Sequence, residues 1–508
     1  MRCFYIGVPM CGVIGVFGTP YSSQEVQQGL QLLQHRGQDA AGILSFNSQT
    51  KNFSLYKDVG LVSKVFDDTK TYGISGDISI GHTRYATVGP KTVIDAKRDL
   101  QPMMVNYPFG IGMVHNGNIV NYYELKKTLK ETKNRILFTQ NDLEALLNIL
   151  SNNLLEKNNL NFSFDEFQAA VKSLFDQAKG GFSVLGVIAE KGFFAFRDPH
   201  GIRPLILGRR ALTEDEKKEN PNHFGHSYCA SSETNAMNFL GYEPIRDLSP
   251  GEIIFIDHTG EVYSSSNYST QRNIPAKTCM FEYVYFSNPE SKLENVSIYG
   301  ARLNFGKYLA EEIRGKIDSG VIKPDIIVPI PETSRVAAIS MSETLGIPYR
   351  EVLIKNRYIQ RSFILNTQES RKRAVQLKLT AIASEIKGKN VMLVDDSVVR
   401  GTTSKKIIDM VREAGANEVY LASTCPPIRH PCFYGVDFPD PNELVAHGKT
   451  EPEVAKMLGA DHLFYLTVEG LKKSIGSEKL CMACINGKYP VETSNKAFSE
   501  MRQAHREV

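Results

Sequence analysis

What the sequence lacks already restricts its function. No apolar run in the 508 residues approaches the length needed to span a membrane. Charge of one sign is also lacking: 59 Lys and Arg stand against 56 Asp and Glu, and a net charge of +3 gives no reason to expect nucleic acid as a partner. The opening residues, MRCFYIGVPM, hold too short an apolar stretch for a secretory signal. We therefore expect a cytoplasmic protein that binds neither nucleic acid nor a membrane.

Cysteine is scarce, with eight residues in the chain. Because no export signal precedes them, these cysteines are expected to be thiols or metal ligands rather than disulfides. Short-period repeats and long low-complexity tracts are absent as well. A hydrophobic fraction of 42% and a charged fraction of 23% are ordinary for a globular protein. The length is too great for a single core, so two or three domains are expected.

The most informative stretch is VMLVDDSVVRGTT, residues Val391 to Thr403. Its first four residues are typical of a buried strand. An acidic pair, a loop with Gly and Thr, and a helical pattern from Ser404 follow in that order. Backbone N–H groups at such a helix start bind anions, and adjacent carboxylates can accept the hydroxyls of a ribose. The alternative is an ordinary strand–turn–helix whose Asp residues serve as caps.

The stretch resembles the signature of type I phosphoribosyltransferases, which bind phosphoribosyl pyrophosphate (PRPP). Alternating apolar strands and helices around it predict a parallel doubly wound sheet, with the site at the carboxyl ends of the strands. The resemblance implies that PRPP is bound by Asp395, Asp396, Ser397, Arg400, Gly401, Thr402 and Thr403.

Two further segments of this half match the same family. DIIVPIPETS, residues 325–334, predicts a buried strand whose end presents backbone N–H groups to a pyrophosphate; a strand followed by a capped helix is the alternative. KNRYIQRSFI, residues 355–364, is a solvated basic loop when taken alone, whereas the family has a mobile lid over PRPP here. The resemblance assigns PRPP contacts to Glu332, Thr333, Ser334, Lys355 and Tyr358, and Mg²⁺ to Thr333, Asp395 and Asp396.

The other half of the chain begins at Cys11, which lies between Met10 and Gly12. A Cys in such an apolar run is usually a small buried hydrophobe. With a free nitrogen, however, Cys11 becomes a nucleophile whose own α-amino group, with an unperturbed pKa of about 8, serves as general base. No separate His is then needed.

The motifs after Cys11 are HRGQDAAGI, GHTRYATVG, VHNGNIVNYYEL and FTQNDLEALL. Singly they are ordinary, since Asn-Gly marks hairpin turns and Asp caps helices. Their joint order resembles the class II glutamine amidotransferase domain, an N-terminal-nucleophile αββα sandwich. The resemblance implies that Cys11 attacks the glutamine carboxamide and that Asn116 and Gly117 donate to the oxyanion. It implies glutamine binding by Arg36, Arg84 and Asp142.

The chain departs from the family patterns in three places, one of which is Gln360 in the lid segment, where the family has Gly. Where the family has Ser-Asp-Thr/Ser-Glu, this chain has Asn141-Asp142-Leu143-Glu144, so the local caps must differ. Where the family has Arg-Pro-Asp-Ser, this chain has Asn288-Pro289-Glu290-Ser291, which leaves the role of that Arg open.

Cysteines near the carboxyl terminus include a CxxC motif at Cys481 and Cys484. A lone CxxC is compatible with redox activity or with zinc, although a zinc ribbon needs a second pair. The positions of Cys279, Cys432, Cys481 and Cys484 match the iron–sulfur branch of the amidotransferase family. The resemblance implies a 4Fe–4S cluster held by these four thiolates.

Taken together, the two halves resemble the amidophosphoribosyltransferase family. This implies transfer of ammonia from glutamine to C1 of PRPP, giving 5-phosphoribosylamine, glutamate and pyrophosphate, at the first committed step of purine synthesis. It also implies Mg²⁺, inhibition by purine nucleotides and a homotetramer. The alternatives are a hexosamine-phosphate synthase, which the stretch 391–403 disfavours, and a non-catalytic PRPP sensor, which the intact Cys11 motifs disfavour.

The expected domains are an amidotransferase domain at 11–250, a phosphoribosyltransferase domain at 275–471 and an extension with the CxxC at 472–508. Residues 1–10 are expected to be a misassigned start or a propeptide, because an acylated nitrogen on Cys11 cannot act as a base. A chain that keeps them is expected to place Met1 to Met10 loosely beside the glutamine pocket.

Overall fold

The computed structural model describes residues 10–66, 73–84, 97–156, 162–220, 224–355, 379–436, 438, 440–492 and 499. Within these ranges no helix combines the length and the apolar character that crossing a bilayer requires. The expectations for Met1 to Pro9 and for Tyr358 lie outside the described residues.

The first domain contains two antiparallel sheets, ordered β11-β9-β10-β1-β4-β2-β3 and β13-β12-β8-β7-β6-β5. Their strands are β1 (Gly12–Phe17), β2 (Ala40–Asn47), β3 (Asn52–Val59), β4 (Ile78–Arg84), β5 (Met103–Val105), β6 (Ile111–Ile119), β7 (Gly180–Ile188), β8 (Gly192–Arg197), β9 (Ile206–Ala211), β10 (His226–Ser231), β11 (Glu243–Asp247), β12 (Ile253–Asp257) and β13 (Val262–Ser265). The helices are Ser22–Leu32, Val62–Val65, Tyr122–Lys133, Asp142–Glu156, Phe164–Gln177, Glu214–Glu219, Thr234–Phe239 and Asn267–Gln271.

The two sheets pack face to face, and helices cover both outer faces. Strand β1 shows why: Val13 and Phe17 point into the core between the sheets, whereas Ile14 and Val16 point towards the helix Ser22–Leu32. Because successive side chains of a strand alternate between faces, a strand buried on both sides is apolar throughout. The helices Asp142–Glu156 and Phe164–Gln177 pack on the other sheet. The αββα sandwich expected from the motifs is confirmed.

The second domain is built on a parallel sheet ordered β17-β20-β21-β22. Its strands are β14 (Thr278–Cys279), β15 (Lys292–Leu293), β16 (Val296–Ser297), β17 (Ile326–Pro329), β18 (Leu353–Lys355), β19 (Leu379–Ala381), β20 (Asn390–Asp395), β21 (Glu418–Ser423), β22 (His462–Tyr465) and β23 (Leu480–Cys481). The helices are Ile298–Asp318, Arg335–Leu345, Ala383–Ile386, Thr402–Glu413, Glu451–Leu458, Val468–Ile475 and Ala483–Asn486, with a π-helical turn at Glu282–Phe286 and a 3₁₀ turn at Pro441–Glu443.

Helices lie on both faces of this parallel sheet, as in a doubly wound fold. In β20, Met392 and Val394 face one layer, and Val391 and Leu393 face the other. This confirms the second half of the predicted fold class. The acidic pair therefore stands at the carboxyl end of a central strand, where open α/β sheets bind their ligands.

The domain limits differ from those expected. The first domain extends past residue 250, because β12 pairs with β8 and β13 pairs with β12 in its second sheet. At the other end, the helix Val468–Ile475 runs through the boundary placed between 471 and 472. Cys481 and Cys484 lie in the same core as the second domain, so the extension packs as part of that domain.

A matched pair of glycines in the helix Ile298–Asp318 tests this packing. A Cβ on Gly306 would lie 2.0 Å from Ala337 O, whereas a Cβ on Gly315 meets no atom within 4 Å. We expect Gly306→Ala to lower the free energy of unfolding by about 1–3 kcal/mol, because the neighbouring helix must move away. Gly315→Ala should raise it by up to about 1 kcal/mol. Urea denaturation measures both, and equal effects would contradict the close approach of the two helices.

Candidate active site

The first candidate site forms where β1, β4 and β6 meet. Antiparallel pairing places Thr83 opposite Gly12, so the next residue along β4, Arg84, comes beside Cys11. Both Cys11 and Arg84 are half-buried. The register of two strands thus brings together two residues that are more than seventy positions apart in the sequence.

Asn116 and Gly117 lie within β6 rather than in a turn after it. They pair with Ser183 and Phe182 of β7, and this long-range pairing overrides the local turn preference of Asn-Gly. Asn116 is fully buried, and neither Nδ2 nor Oδ1 of its carboxamide has a hydrogen-bond partner among the described residues. A buried amide without a protein partner is costly, so its position fits a donor directed at a ligand.

Asp142 begins the helix Asp142–Glu156 and faces the same region. Its Oδ2 accepts a hydrogen bond from the backbone N–H of Ile119 at 2.9 Å, and its Oδ1 lies 3.3 Å from His115 Nε2. Burial raises the pKa of this carboxyl, but the charge of His115 and these hydrogen bonds outweigh burial and hold the pKa below its usual range. Asp142 therefore stays ionised and can pair with an ammonium group.

The departures from the family motif around Asp142 are compensated locally. Asn141 Oδ1 accepts from Leu143 N at 3.0 Å, and Asn141 Nδ2 donates to Asp99 O at 2.7 Å. The carboxylate of Glu144 accepts from the backbone N–H groups of Phe138 and Thr139. These bonds satisfy the start of the helix without the Ser that the family carries.

His115 and Gln101 were missed at the level of sequence, although His115 lies inside the VHNGN motif. Gln101 Oε1 accepts from His115 N at 2.7 Å, so its Nε2 is the end that lies 2.8 Å from His115 Nδ1. Because this amide nitrogen donates to Nδ1, the ring proton of a neutral His115 belongs on Nε2, facing Asp142. Lys57 Nζ donates to Leu100 O and Pro102 O on either side of Gln101.

Arg36 lies at the centre of a buried charge network behind Cys11. Its Nε donates to Cys11 O at 3.1 Å, Nη1 donates to Glu233 at 2.6 Å, and Nη2 donates to both oxygens of Glu282 at 3.0 Å. Arg203 approaches Glu282 at 3.4 Å. The side chains of all four charged residues are at most 1% exposed. Glu233 and Glu282 belong to different domains, so Arg36 joins them.

The same network includes position 288, where the family has Arg and this chain has Asn. Glu233 Oε2 accepts from the backbone N–H of Asn288 at 2.8 Å and from Ser291 Oγ at 3.0 Å. At position 288 the hydrogen bond is donated by the main-chain N–H group, which every residue except proline has.

The expectation that Met10 is loosely placed is wrong. Met10 is 2% exposed and packs in the core of the second domain. Its backbone N–H donates to Arg36 O at 3.1 Å. Burial of this apolar side chain at the interface between the domains is favourable, because it removes apolar surface from water.

The second candidate site lies at the carboxyl end of β20. Asp395 Oδ1 accepts from Asp396 N at 3.0 Å, and Ser397 Oγ donates to Asp396 Oδ1 at 2.8 Å. Burial raises the pKa of Asp396 to about 6 against the opposing effects of Ser397 and Arg302. Burial and the charge of Asp396 raise the pKa of Asp395 well above its usual value. A buried carboxylate beside a half-buried one favours a ligand that supplies hydroxyl donors or positive charge.

The predicted phosphate loop follows directly. Gly401, at φ +74°, caps the helix Thr402–Glu413, whose first residues are Thr402 and Thr403. Such a left-handed turn at a helix start exposes backbone N–H groups to an anion. Arg400 forms an ion pair with Glu443, in which Nε and Nη2 both donate to Oε2 at 2.9 and 2.7 Å. Its guanidinium is thus engaged by a neighbouring loop in this structure.

The remaining predicted PRPP residues are only partly brought together. Ser334 precedes the helix Arg335–Leu345 and donates to Ile330 O, while Glu332 pairs with Arg335 at 2.6 Å. Both follow β17, which is the neighbour of β20, so they share an edge with the acidic pair. Lys355 ends β18 and is exposed; it pairs in register with Leu379 of β19.

Four cysteines line a single cavity at the interface. β14 and β23 pair in parallel with Cys279 opposite Cys481, and Arg429 N and His430 N both donate to Cys484 O at 2.9 Å. The described residues contain no group of three or more His, Cys, Asp or Glu side chains placed to surround one metal ion. The cavity is lined by Ile202, Arg203, Cys279, Phe281, Cys432, Tyr434, Val436, Phe438, Cys481, Ala483 and Cys484.

Comparisons with known proteins identify a domain type for each half of the chain. The family model for a glutamine amidotransferase domain matches residues 83–215, and that for a phosphoribosyl transferase domain matches residues 296–435. An amidophosphoribosyltransferase of Pseudomonas aeruginosa is 40% identical over 96% of this chain and 94% of its own length. One from Methanocaldococcus jannaschii is 41% identical over 96% and 98%. The chain belongs to the amidophosphoribosyltransferase family.

A solved structure supports the same assignment across both domains. The glutamine PRPP amidotransferase from B. subtilis, complexed with ADP and GMP, superposes with a TM-score of 0.81 at 36% identity, covering 96% of this chain and 98% of the other. An amidophosphoribosyltransferase combines the two domain types in one chain, and here the buried network of Arg36 connects them.

Removing the central guanidinium tests that network. In Arg36→Met, Glu233 and Glu282 remain buried without their shared partner, so we expect the free energy of unfolding at neutral pH to fall by about 3–5 kcal/mol. Lys127→Met, in an exposed ion pair with Glu131, should cost no more than about 0.5 kcal/mol.

The loss should depend on pH. Burial alone raises the pKa of Glu233, but the charges of His35 and Arg36 hold it below its usual range, so in the native protein this residue stabilises the fold above the pKa of an unfolded Glu. Without Arg36 that contribution disappears. The difference in the free energy of unfolding between wild type and Arg36→Met should therefore become smaller as the pH falls through the range in which unfolded Glu is protonated. Denaturation curves between neutral and acidic pH measure it; a deficit independent of pH would contradict the role of Arg36.

Proposed function

We propose that this chain converts glutamine, PRPP and water into 5-phosphoribosylamine, glutamate and pyrophosphate, the first committed step of purine synthesis. The observation that carries the proposal is that one chain holds both a cysteine site with an unpartnered buried amide and an acidic pair at the end of a parallel strand. The two sites belong to different domains, so ammonia made at one must reach the other.

In the glutaminase half-reaction, Cys11 Sγ attacks the carboxamide carbon of glutamine. The α-amino group of Cys11 accepts the thiol proton and passes it to the leaving nitrogen, so ammonia departs and a thioester remains. Water then attacks the thioester, which releases glutamate and restores the thiol. Asn116 Nδ2 and Gly117 N are assigned to the oxyanion, Arg84 to the substrate carboxylate and Asp142 to its ammonium group.

This mechanism requires that Cys11 carry a free amine, so the bond after Met10 must be cleaved. Met10 is packed against Arg203 and hydrogen-bonded to Arg36 in the uncleaved chain. The cleaved chain therefore exposes its new amine beside the charge network rather than in open solvent.

In the synthase half-reaction, ammonia attacks C1 of PRPP and the bond from C1 to the pyrophosphate oxygen breaks. Asp395 and Asp396 are assigned to the ribose hydroxyls, and the loop at Ser397, Gly401, Thr402 and Thr403 to the 5-phosphate. Thr333, Asp395 and Asp396 would hold Mg²⁺, which offsets the negative charge of the leaving pyrophosphate. Oxygen ligands and two adjacent carboxylates suit this ion.

The four cysteines of the interface cavity are proposed to hold a 4Fe–4S cluster. Four thiols from three distant segments line one cavity, which is the donor set such a cluster needs. A single zinc ion requires sulfurs at about 2.3 Å from one point. The proposal therefore rests on the four thiols that line the cavity, and the iron and zinc contents of the protein distinguish the two metals.

Regulation and assembly follow the family. The B. subtilis structure is described as complexed with ADP and GMP. We propose that purine nucleotides inhibit this chain as well and that it assembles as a homotetramer.

Separate variants test the two half-reactions. Cys11→Ala should lower glutamine-dependent synthesis by at least about 10³-fold, because the nucleophile is lost, while synthesis from external ammonia persists. Asp395→Ala combined with Asp396→Ala should abolish synthesis from either nitrogen source. Pyrophosphate release is measured with glutamine and with ammonia. A folded Cys11→Ala variant that fails with ammonia would refute the assignment of two sites.

Metal analysis tests the cysteine assignment. Protein purified without oxygen should be brown and contain about four irons and four labile sulfides per chain. Cys481→Ser should lower the iron content, whereas Cys229→Ser, in a core cysteine of the first domain, should leave it unchanged. Colourless protein with one bound zinc per chain would contradict the proposal.

A further inference from the structure

A loop of the second domain reaches the strand that carries the oxyanion donors. This loop, residues 431–436, contains Cys432 and touches the first domain at three successive residues. Asn118 Nδ2 donates to Phe433 O at 2.9 Å, and Arg203 Nε donates to Tyr434 O at 2.8 Å. A Cβ built on Gly435 would lie 3.2 Å from Gly117 C and 3.3 Å from Gly117 O.

Gly117 is enclosed on its other side as well. It has φ +147°, and a Cβ on it would lie 2.1 Å from Gly181 O of β7. The residue therefore lies between β7, which leaves no room for a side chain on it, and Gly435. Gly435 has φ +104°, a conformation that favours glycine, and a side chain there would press on Gly117.

The base of the loop is fixed independently of the first domain. Cys432 N donates to Phe438 O at 3.2 Å, and Tyr489 OH donates to Pro431 O at 2.8 Å. Arg203 is fully buried where it holds Tyr434 O. These hydrogen bonds hold the loop in a defined position against the first domain.

We propose that Gly435 is a positioning residue for glutamine hydrolysis, because it fixes the backbone of Gly117 from the second domain. This inference rests on the proposed oxyanion role of Gly117. An oxyanion donor acts in the transition state, so its displacement lowers kcat while leaving the KM for glutamine largely unchanged. The geometry requires that the oxyanion site of the first domain be complete only when the second domain is folded against it.

Gly435→Ala tests the proposal, since its methyl group must press on Gly117. We expect kcat for glutamine hydrolysis to fall about 3- to 10-fold, because relieving contacts of 3.2–3.4 Å shifts the Gly117 backbone by a few tenths of an ångström, less than the displacement of about 1 Å that costs about 100-fold. The KM for glutamine and the synthesis from external ammonia should stay within about twofold of wild type. Gly448→Ala is the control: it has φ +65° and nothing within 4 Å, so it carries backbone strain without the contact, and all three values should hold.

Asn118→Ala is a second variant, which removes the hydrogen bond to Phe433 O without adding bulk. It should lower kcat for glutamine hydrolysis while the KM for glutamine and the synthesis from ammonia hold. This variant tests the proposal if Gly435→Ala fails to fold. Unchanged kcat in the folded variants, a rise in KM alone, or an equal loss with ammonia would overturn the inference. Wild-type protein that does not hydrolyse glutamine would overturn the proposed function, and this inference with it.

Discussion

The buried pairing of Arg36 with Glu233 and Glu282 is the constraint on which the arrangement of the two domains depends. Charged groups out of water are tolerated only when each is paired and hydrogen-bonded. Glu282 comes from the second domain, and its partners Arg36 and Arg203 come from the first, so separating the domains would leave one carboxylate and two guanidinium groups short of partners. The interface is therefore specified by charge as well as by apolar contact.

Residues near this network connect it to both candidate sites. Arg36 also holds Cys11 O, and Glu282 Oε2 accepts from Ser287 Oγ at 3.2 Å. Arg302 donates to Ser287 O at 2.8 Å, and its charge opposes the raised pKa of Asp396. The hydrogen bonds thus run from the carbonyl of Cys11 through buried polar groups to Arg302, whose charge acts on Asp396 without a direct bond. Low exposure makes each of these hydrogen bonds stronger than it would be in water.

The sequence was most informative where short-range order determines the structure. The stretch Val391 to Thr403 formed the predicted strand, acidic pair and helix start, because apolar runs, glycine and caps act within a few residues. The helix that begins at Asp142 is another such case. Fold class followed from the same local patterns together with the family resemblance.

The errors have a common physical cause, which is pairing between distant segments. Asn116-Gly117 is a dipeptide typical of hairpin turns but lies inside β6, because β7 pairs with it. The first domain was ended before β12, whose place depends on β8. Met10 was expected to be loose but is buried by the second domain. Glu282 and His115 were missed because their partners lie far away or in another motif, which local patterns cannot show.

The support of Gly117 by Gly435 also affects the order of events during synthesis. The loop at 431–436 leaves the ribosome more than three hundred residues after β6 has been made. At synthesis rates of about 5–20 residues per second, that loop is made roughly 15–60 s after β6. During this interval the nascent domain has its sheets but not the neighbour that holds Gly117. If Gly435 positions Gly117 as proposed, glutamine hydrolysis by the growing chain stays slow until the second site has been made.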